Sequence, residues 1–292
     1  MKRLVQTWTL MFLLAVALAS CSGGAVPDVL TTTTILADVA RNVAGDRLTV
    51  GSLVPVGADP HSYQPVPQDA TKISESRVLV IHGAEYENFL ESLLENAGGK
   101  ENVIDASTGL RLLSNEQGTN PHLWLDPISV IAYTDNIREG LTQFDPDGAE
   151  IYQVNASAYI DELTELDAWI NGQIAQIPPQ RRVLVTNHES LGYFADRYGF
   201  IVIGAIVPNF NSDASPSAEQ MAALIEQIKL HEAPAIFLDA SDNPDLAQQI
   251  ATETSVKVIT DLHLESLTEG PPAATYIDMM KDNVTKIVQA LQ

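Results

Sequence analysis

Short β-branched runs alternate with helix-periodic stretches along almost the whole chain, the pattern of α/β layers built on largely parallel sheets. Runs at Val29 to Thr33, Leu48 to Val54, Val78 to Ile81, Val183 to Thr186, Ile201 to Ile206 and Ala235 to Leu238 have the length and composition of strands. Between Asp145 and Pro178 the rhythm changes. Tyr159, Leu163, Leu166, Ile170 and Ile174 recur every three or four positions with polar residues between them. One long amphipathic helix within a stretch of roughly 30 residues is predicted, ended by Pro178-Pro179.

Two fragments recur on either side of that helix. Arg77-Val78-Leu79-Val80 reappears as Arg182-Val183-Leu184-Val185, and Gly51-Ser52-Leu53-Val54-Pro55 has a counterpart in Gly204-Ala205-Ile206-Val207-Pro208. Together they predict two similar α/β lobes with mainly parallel sheets, joined by one long rigid helix. The expected boundaries are an N-lobe at 27–144, a connector at 145–177 and a C-lobe at 178–292. In such sheets ligands bind beyond the carboxyl ends of the strands, so the loops after strands, facing an inter-lobe cleft, are where a site belongs.

The first segment is of another kind. Lys2 and Arg3 precede an apolar run from Leu10 to Ala19, too short for a comfortable membrane span of about 20 residues and shaped like a secretory signal. It ends Leu18-Ala19-Ser20-Cys21, which resembles the bacterial lipoprotein signal. Residues 1–20 then read as a signal peptide and 21–26 as anchor and tether, with Cys21 lipidated and the mature protein extracytoplasmic, held to the cell membrane by its lipid.

Charge and cysteine content narrow the chemistry. Of 292 residues 45% are hydrophobic, enough for a substantial core, while 16 basic against 38 acidic residues leave a net charge of -22. General affinity for nucleic acid or an anionic membrane surface is excluded on that balance, and cations or neutral ligands are favoured. A single cysteine excludes an internal disulfide framework and a zinc site of several thiolates. Metal chemistry here must use histidine and carboxylate.

Three of the six histidines sit in preorganised loops. His61 lies in Gly57-Ala58-Asp59-Pro60-His61-Ser62-Tyr63-Gln64-Pro65, braced by proline on both sides. His122 lies in Asn120-Pro121-His122-Leu123-Trp124-Leu125-Asp126-Pro127, where Asp126-Pro127 reads as a helix start. His188 directly follows the strand at Val183 to Thr186, facing the expected cleft. Three imidazoles from two lobes suit a divalent cation, with a carboxylate to complete a tetrahedron. Asp261, His263 and Glu265 alternate after a strand, so they are expected to share one face of an extended stretch. His82 reads as structural, and His231 as a helix C-terminal residue suited to the dipole.

Read together, Gly57 to Pro65 with Pro67 and Asp69, Asn120 to Pro127, Thr186 to Phe194, Pro216-Ser217 before a helix, and Thr275-Tyr276-Ile277-Asp278-Met279-Met280 with Asn283 resemble one family. It is the metal-binding solute-binding proteins of bacterial ABC importers, the zinc and manganese group called cluster A-I or the periplasmic zinc-binding protein family. The resemblance covers nearly all of the mature chain and implies one metal in the cleft, presented by a monomeric protein to a membrane permease. By motif position it carries over His61, His122 and His188 as metal ligands. The family's fourth ligand is usually an Asp in an Asp-Ser-Leu segment; the matching segment is Glu265-Ser266-Leu267, which makes Glu265 the first choice, Asp261 the runner-up and Asp239 a third.

Manganese binders of this family often carry Glu at the third position, where this chain has His188 followed by Glu189, so the resemblance points to Zn²⁺, with Mn²⁺ or Fe²⁺ as alternatives. The His-rich loop of many zinc members is absent between Leu113 and Thr119. A secreted zinc hydrolase using the same histidines, a bound water and Glu189 or Glu265 as base is the competing class, but no His-Glu-x-x-His helix or Gly-x-Ser-x-Gly elbow supports it. Surface anchoring also permits cell adhesion as a secondary role.

Overall fold

The computed structural model describes residues 26–212 and 214–292. The signal segment and Cys21 lie outside the described residues. The first half of the chain forms β1 (Val29–Thr31), α1 (Thr34–Ala44), β2 (Val50–Ser52), α2 (Pro67–Glu75), β3 (Val78–Ile81), α3 (Leu90–Asn96) and β4 (Val103–Asp105). Its parallel sheet has the order β2-β1-β3-β4. A small hairpin, β5 (Ser114–Asn115) and β6 (Gly118–Thr119), leads into α4 (Pro127–Phe144) and the long α5 (Ala149–Ile174). The second half forms β7 (Val183–His188), α6 (Gly192–Tyr198), β8 (Ile201–Val207), α7 (Ala218–Leu230), β9 (Ala235–Asp239), α8 (Asp245–Thr254), β10 (Lys257–Leu262) and α9 (Tyr276–Leu291). Its parallel sheet has the order β10-β9-β7-β8.

Counted from its own first strand, each sheet runs second, first, third, fourth. The two lobes therefore share one build, with β1 equivalent to β7 and β2 to β8. Even the strand ends match: Thr31 Oγ1 donates to Thr33 O at 2.8 Å, and Thr186 Oγ1 donates to His188 O at 2.5 Å. The repeat at Gly51 and Gly204 falls on equivalent strands. The repeat at Arg77 and Arg182 does not, because β3 is the third strand of its sheet and β7 the first of the other. That tetrapeptide recurs because any strand buried on both faces of a parallel sheet demands the same β-branched and leucine run.

Strand ends differ in detail from the sequence pattern. The run Leu48 to Val54 contributes only Val50–Ser52 to the sheet, and His188 is the last residue of β7 rather than the residue beyond it. β4 has no counterpart among the predicted strands, since three residues with an exposed Val103 carry too little apolar signal.

The predicted long helix is α5, and Tyr159, Leu163, Leu166, Ile170 and Ile174 are all buried on it. It packs on α4, α1 and α9. One continuous apolar core joins Val29, Val78 and Val80 of the first sheet to Leu184, Phe237 and Leu262 of the second through Leu163 and Ile170. The outer faces have separate cores, Leu30, Leu79 and Ile73 under α2 and α3, and Val185, Ile228 and Ile250 under α7 and α8. The C-terminal helix also reaches the first half. Tyr276 N donates to Asp38 Oδ2 at 2.9 Å on α1, and its hydroxyl to Trp124 O at 2.7 Å.

Leu163 is fully buried and Val154 on the same helix is 63% exposed. Leu163→Ala is expected to lower the unfolding free energy by about 2–5 kcal/mol in urea denaturation. Val154→Ala should change it by no more than about 0.5 kcal/mol; equal effects would contradict the packing of α5.

Candidate metal centre

Three loops and the end of one strand deliver four side chains to one point. The loop after β2 carries His61, and Asp59 fixes it at both ends: Oδ1 accepts the His61 amide at 2.8 Å, while Oδ2 accepts Ser212 Oγ of the second half at 2.6 Å. Farther on, Asp69 Oδ2 accepts Tyr63 OH at 2.6 Å and Val66 N at 2.9 Å, which pins the proline-rich exit. His122 precedes a 3-10 turn, and Asn120 Oδ1 takes both its backbone N at 3.0 Å and its Nδ1 at 2.9 Å. A carboxamide oxygen only accepts, so Nδ1 carries the proton and the Nε2 lone pair faces the cleft.

His188 is positioned by the sheet itself, in register with Val207 on β8. Glu265 follows β10 in an irregular segment held by Asp239 at the end of β9, whose Oδ2 accepts Leu264 N at 2.6 Å and Glu265 N at 3.2 Å. Trp124 Nε1 donates to Leu264 O at 2.7 Å from the first half. Tyr86 OH donates to Glu265 Oε2 at 2.9 Å.

The ligand-type atoms of His61, His122, His188 and Glu265 lie within 4.8 Å of one another. His122 Nε2 stands 3.1 Å from both His61 Nε2 and His188 Nε2. Glu265 Oε1 is 3.4 Å from His122 Nε2 and 3.3 Å from His188 Nε2, and Oε2 is 3.8 Å from His61 Nε2. The side chains are at most 2% exposed. Oε1 is buried without a hydrogen-bond partner.

Burial acts to raise the Glu265 carboxyl, but the imidazoles, His122 foremost, hold it well below the usual range. Burial pushes His122 down to about 4 against the pull of Glu265, so that ring is neutral at physiological pH. Burial acts to lower His188 as well, but Glu265 beside it raises that ring above its ordinary value; an ionised carboxylate among imidazoles that give up their protons to a cation is a donor set for a divalent metal.

The remaining candidates fall elsewhere. Asp261 is exposed on β10 and paired with Lys286 at 2.9 Å. The expected alternation of Asp261, His263 and Glu265 on one face fails. The register of β10 shifts between Ile259 and Leu262, the chain leaves the strand after Leu262, and Glu265 turns inward while Asp261 stays outside. Asp239 supports the Glu265 segment instead of joining the four. The His263 backbone is held by the Asn283 side chain, its N donating to Oδ1 and its O accepting from Nδ2, so it lies apart, and His231 caps α7. His82 is fully buried with Nε2 2.7 Å from Thr33 Oγ1, as its structural reading predicts. Glu189 points to Asn115 Nδ2 at 3.1 Å, away from the cluster.

Sequence reasoning did not find Tyr86, Asn120 or the role of Asp239. Asn120 was legible in principle, since Asn two residues before His is an Asx-turn signal. Tyr86 was not. It is aimed by Gly83, Ala84 and Glu85 at φ 75°, 51° and 63°, a run of left-handed residues in which only the glycine gives warning.

Residues 29–290 match the family described as zinc-uptake complex component A, periplasmic. The chain is 35% identical to the manganese-binding lipoprotein MntA of Halalkalibacterium halodurans, over 90% of this chain and 88% of that one. It is 30% identical to the manganese ABC transporter substrate-binding lipoprotein PsaA of Streptococcus mitis, over 100% and 99% of the two chains. Among solved structures it resembles a manganese-bound point mutant of the periplasmic metal binding protein from Candidatus Liberibacter asiaticus. The TM-score is 0.83 at 31% identity, covering 90% of this chain and 99% of that one.

Two outcomes follow from the geometry. Asp239→Ala leaves the Leu264 and Glu265 amides without their acceptor, so a loss of about 1–3 kcal/mol in urea denaturation is expected. Burial lowers His82 to about 3, so below pH 6.5 the unfolded chain takes up a proton that the folded chain refuses. Its stabilising contribution is complete above pH 6.5 and falls by about 1.4 kcal/mol per pH unit on acidification toward 3. In metal-free protein denatured at pH 7 and at pH 5, His82→Asn should flatten the acid slope by that amount; an unchanged slope would contradict the buried neutral imidazole.

Proposed function

The chain belongs to the family of periplasmic zinc-uptake components and is a substrate-binding protein of a metal ABC importer; on that premise we propose that it captures Zn²⁺ on His61, His122, His188 and Glu265 and delivers it to a permease. The observation that carries this reading is the convergence of the His61, His122 and His188 Nε2 atoms with the Glu265 carboxylate, whose Oε1 has no hydrogen-bond partner and lies nearest His122 and His188. A tetrahedron with zinc–ligand distances of about 2.0–2.1 Å has edges of roughly 3.3 Å, and four of the measured separations run from 3.1 to 3.4 Å. Four protein donors fill a tetrahedral ion, whereas a catalytic zinc keeps one position for water. Capture and release without chemistry suits the site better than hydrolysis, with Glu189 turned away from it.

Mn²⁺ is the second reading, favoured by the names of the manganese-binding relatives. Three imidazoles to one carboxylate oxygen favour Zn²⁺ over Mn²⁺ at equal availability. The lipoprotein names of the relatives also support Cys21 as a lipid anchor outside the cytoplasmic membrane. Among the described residues no helix is long and apolar enough to cross a membrane.

Release needs local movement. The halves share one core, so the parts free to shift are the cleft loops, tied across by Asp59 with Ser212 and by Ser266, whose Oγ accepts Gly57 N at 2.8 Å.

The test is competitive titration of chelator-stripped residues 22–292 with Zn²⁺, Mn²⁺ and Fe²⁺. One tight Zn²⁺ per chain is expected, weakened more than about a hundredfold in His188→Ala and in Glu265→Ala. Affinity should fall as pH drops through the histidine range, because protonated imidazole cannot ligate. Preference for Mn²⁺ would select the second reading, and no tight binding of any ion would overturn both.

A further inference from the structure

The two oxygens of the Glu265 carboxylate have different surroundings. Oε1 faces the nitrogens, 3.3 Å from His188 Nε2 and 3.4 Å from His122 Nε2, with no hydrogen-bond partner. Oε2 is engaged by Tyr86 OH at 2.9 Å and stands farther off, 3.8 Å from His61 Nε2. The carboxylate is thus turned so that one oxygen serves the site and the other serves the phenol.

Tyr86 is a rigid partner for that purpose. Its ring is 2% exposed and packed at 4.8 Å from Trp124, 5.0 Å from His82 and 5.0 Å edge-on to His61. Its backbone N donates to Gly83 O at 3.0 Å, closing the left-handed turn. Glu87 secures the same turn from below, accepting His82 N and Thr32 Oγ1, both at 2.6 Å. The phenol cannot swing away without dismantling an aromatic cage, so the orientation of Glu265 is built into the first lobe although the residue belongs to the second half of the chain.

We infer that Tyr86 is a specificity-determining positioning residue: by holding Glu265 Oε2 it restricts this carboxylate to one metal bond, and so biases the site toward four-coordinate Zn²⁺ and against Mn²⁺. The inference rests on the four-ligand reading above. Zn²⁺ is satisfied by four donors in a tetrahedron, while Mn²⁺ favours more oxygen ligands and higher coordination. A glutamate free to offer both oxygens would raise the coordination number from four to five with no other change in the chain. The hydrogen bond to a charged oxygen resists that rotation.

Tyr86→Phe removes the hydroxyl and keeps the ring that packs the cage. Co²⁺ substituted into the stripped protein reports coordination number directly, because tetrahedral Co²⁺ absorbs much more strongly in the visible than five- or six-coordinate Co²⁺. The wild type is expected to give the intense tetrahedral spectrum, and Tyr86→Phe a weaker one of higher coordination. In competitive titration the ratio of Zn²⁺ to Mn²⁺ affinity should fall by about tenfold in the variant.

An unchanged spectrum and unchanged affinity ratio in Tyr86→Phe would overturn the inference while leaving the four-ligand site standing. A five- or six-coordinate spectrum in the wild type would overturn it without any variant. Failure of the wild type to bind Co²⁺ and Zn²⁺ would overturn the site reading itself, and the inference with it.

Discussion

A carboxylate kept ionised in a buried place is the constraint from which the rest of this structure follows. Glu265 is 2% exposed, and its charge is tolerated only if hydrogen-bond donors and a cation compensate for the lost water. Tyr86 compensates one oxygen. The other is left to three imidazoles, of which His122 has its proton committed to Asn120 on the far side of the ring. Such a cluster holds its geometry only if every contributing loop is fixed, and each one is: Asp59 for His61, Asn120 for His122, the sheet and Thr186 for His188, Asp239 for Glu265.

Fixing four segments from two sheets requires the sheets themselves to be fixed to each other. The common core around α5 does this, since the inner faces of both sheets bury their apolar residues against the same helices. α9 reinforces the arrangement by returning from the second half to Asp38 and Trp124. A fold with one shared core resists wide opening of its cleft. The segments that cross between the halves add polar ties, Asp59 with Ser212 and Gly57 with Ser266. The excess of acidic residues gives the whole protein a negative field that attracts cations.

Some of this was plain in the amino-acid pattern. The stripe on α5 was legible because a helix that buries one side over many turns repeats its signal. Asp126-Pro127 announced the start of α4 because the cap and first-turn chemistry are local, and the proline-braced loop of His61 was legible for the same reason. The paired lobes were legible through Gly51 and Gly204, while the Arg77 and Arg182 match misled, because strand composition reflects burial and not position in a sheet. The alternation of Asp261, His263 and Glu265 misled in turn: period two assumes an unbroken strand, and a register shift in β10 ends it.

By itself the sequence determined the alternating α/β build, the long connecting helix and the short segments that carry the three histidines, since each is written in neighbouring residues whose conformational preferences act over a few positions. Only the tertiary structure decided which carboxylate joins them, which oxygen it presents and what holds the other. Those depend on contacts between residues far apart in the chain, Tyr86 with Glu265 and Trp124 with Leu264. They are set by how two sheets pack on one helix, and a local pattern carries no record of that packing.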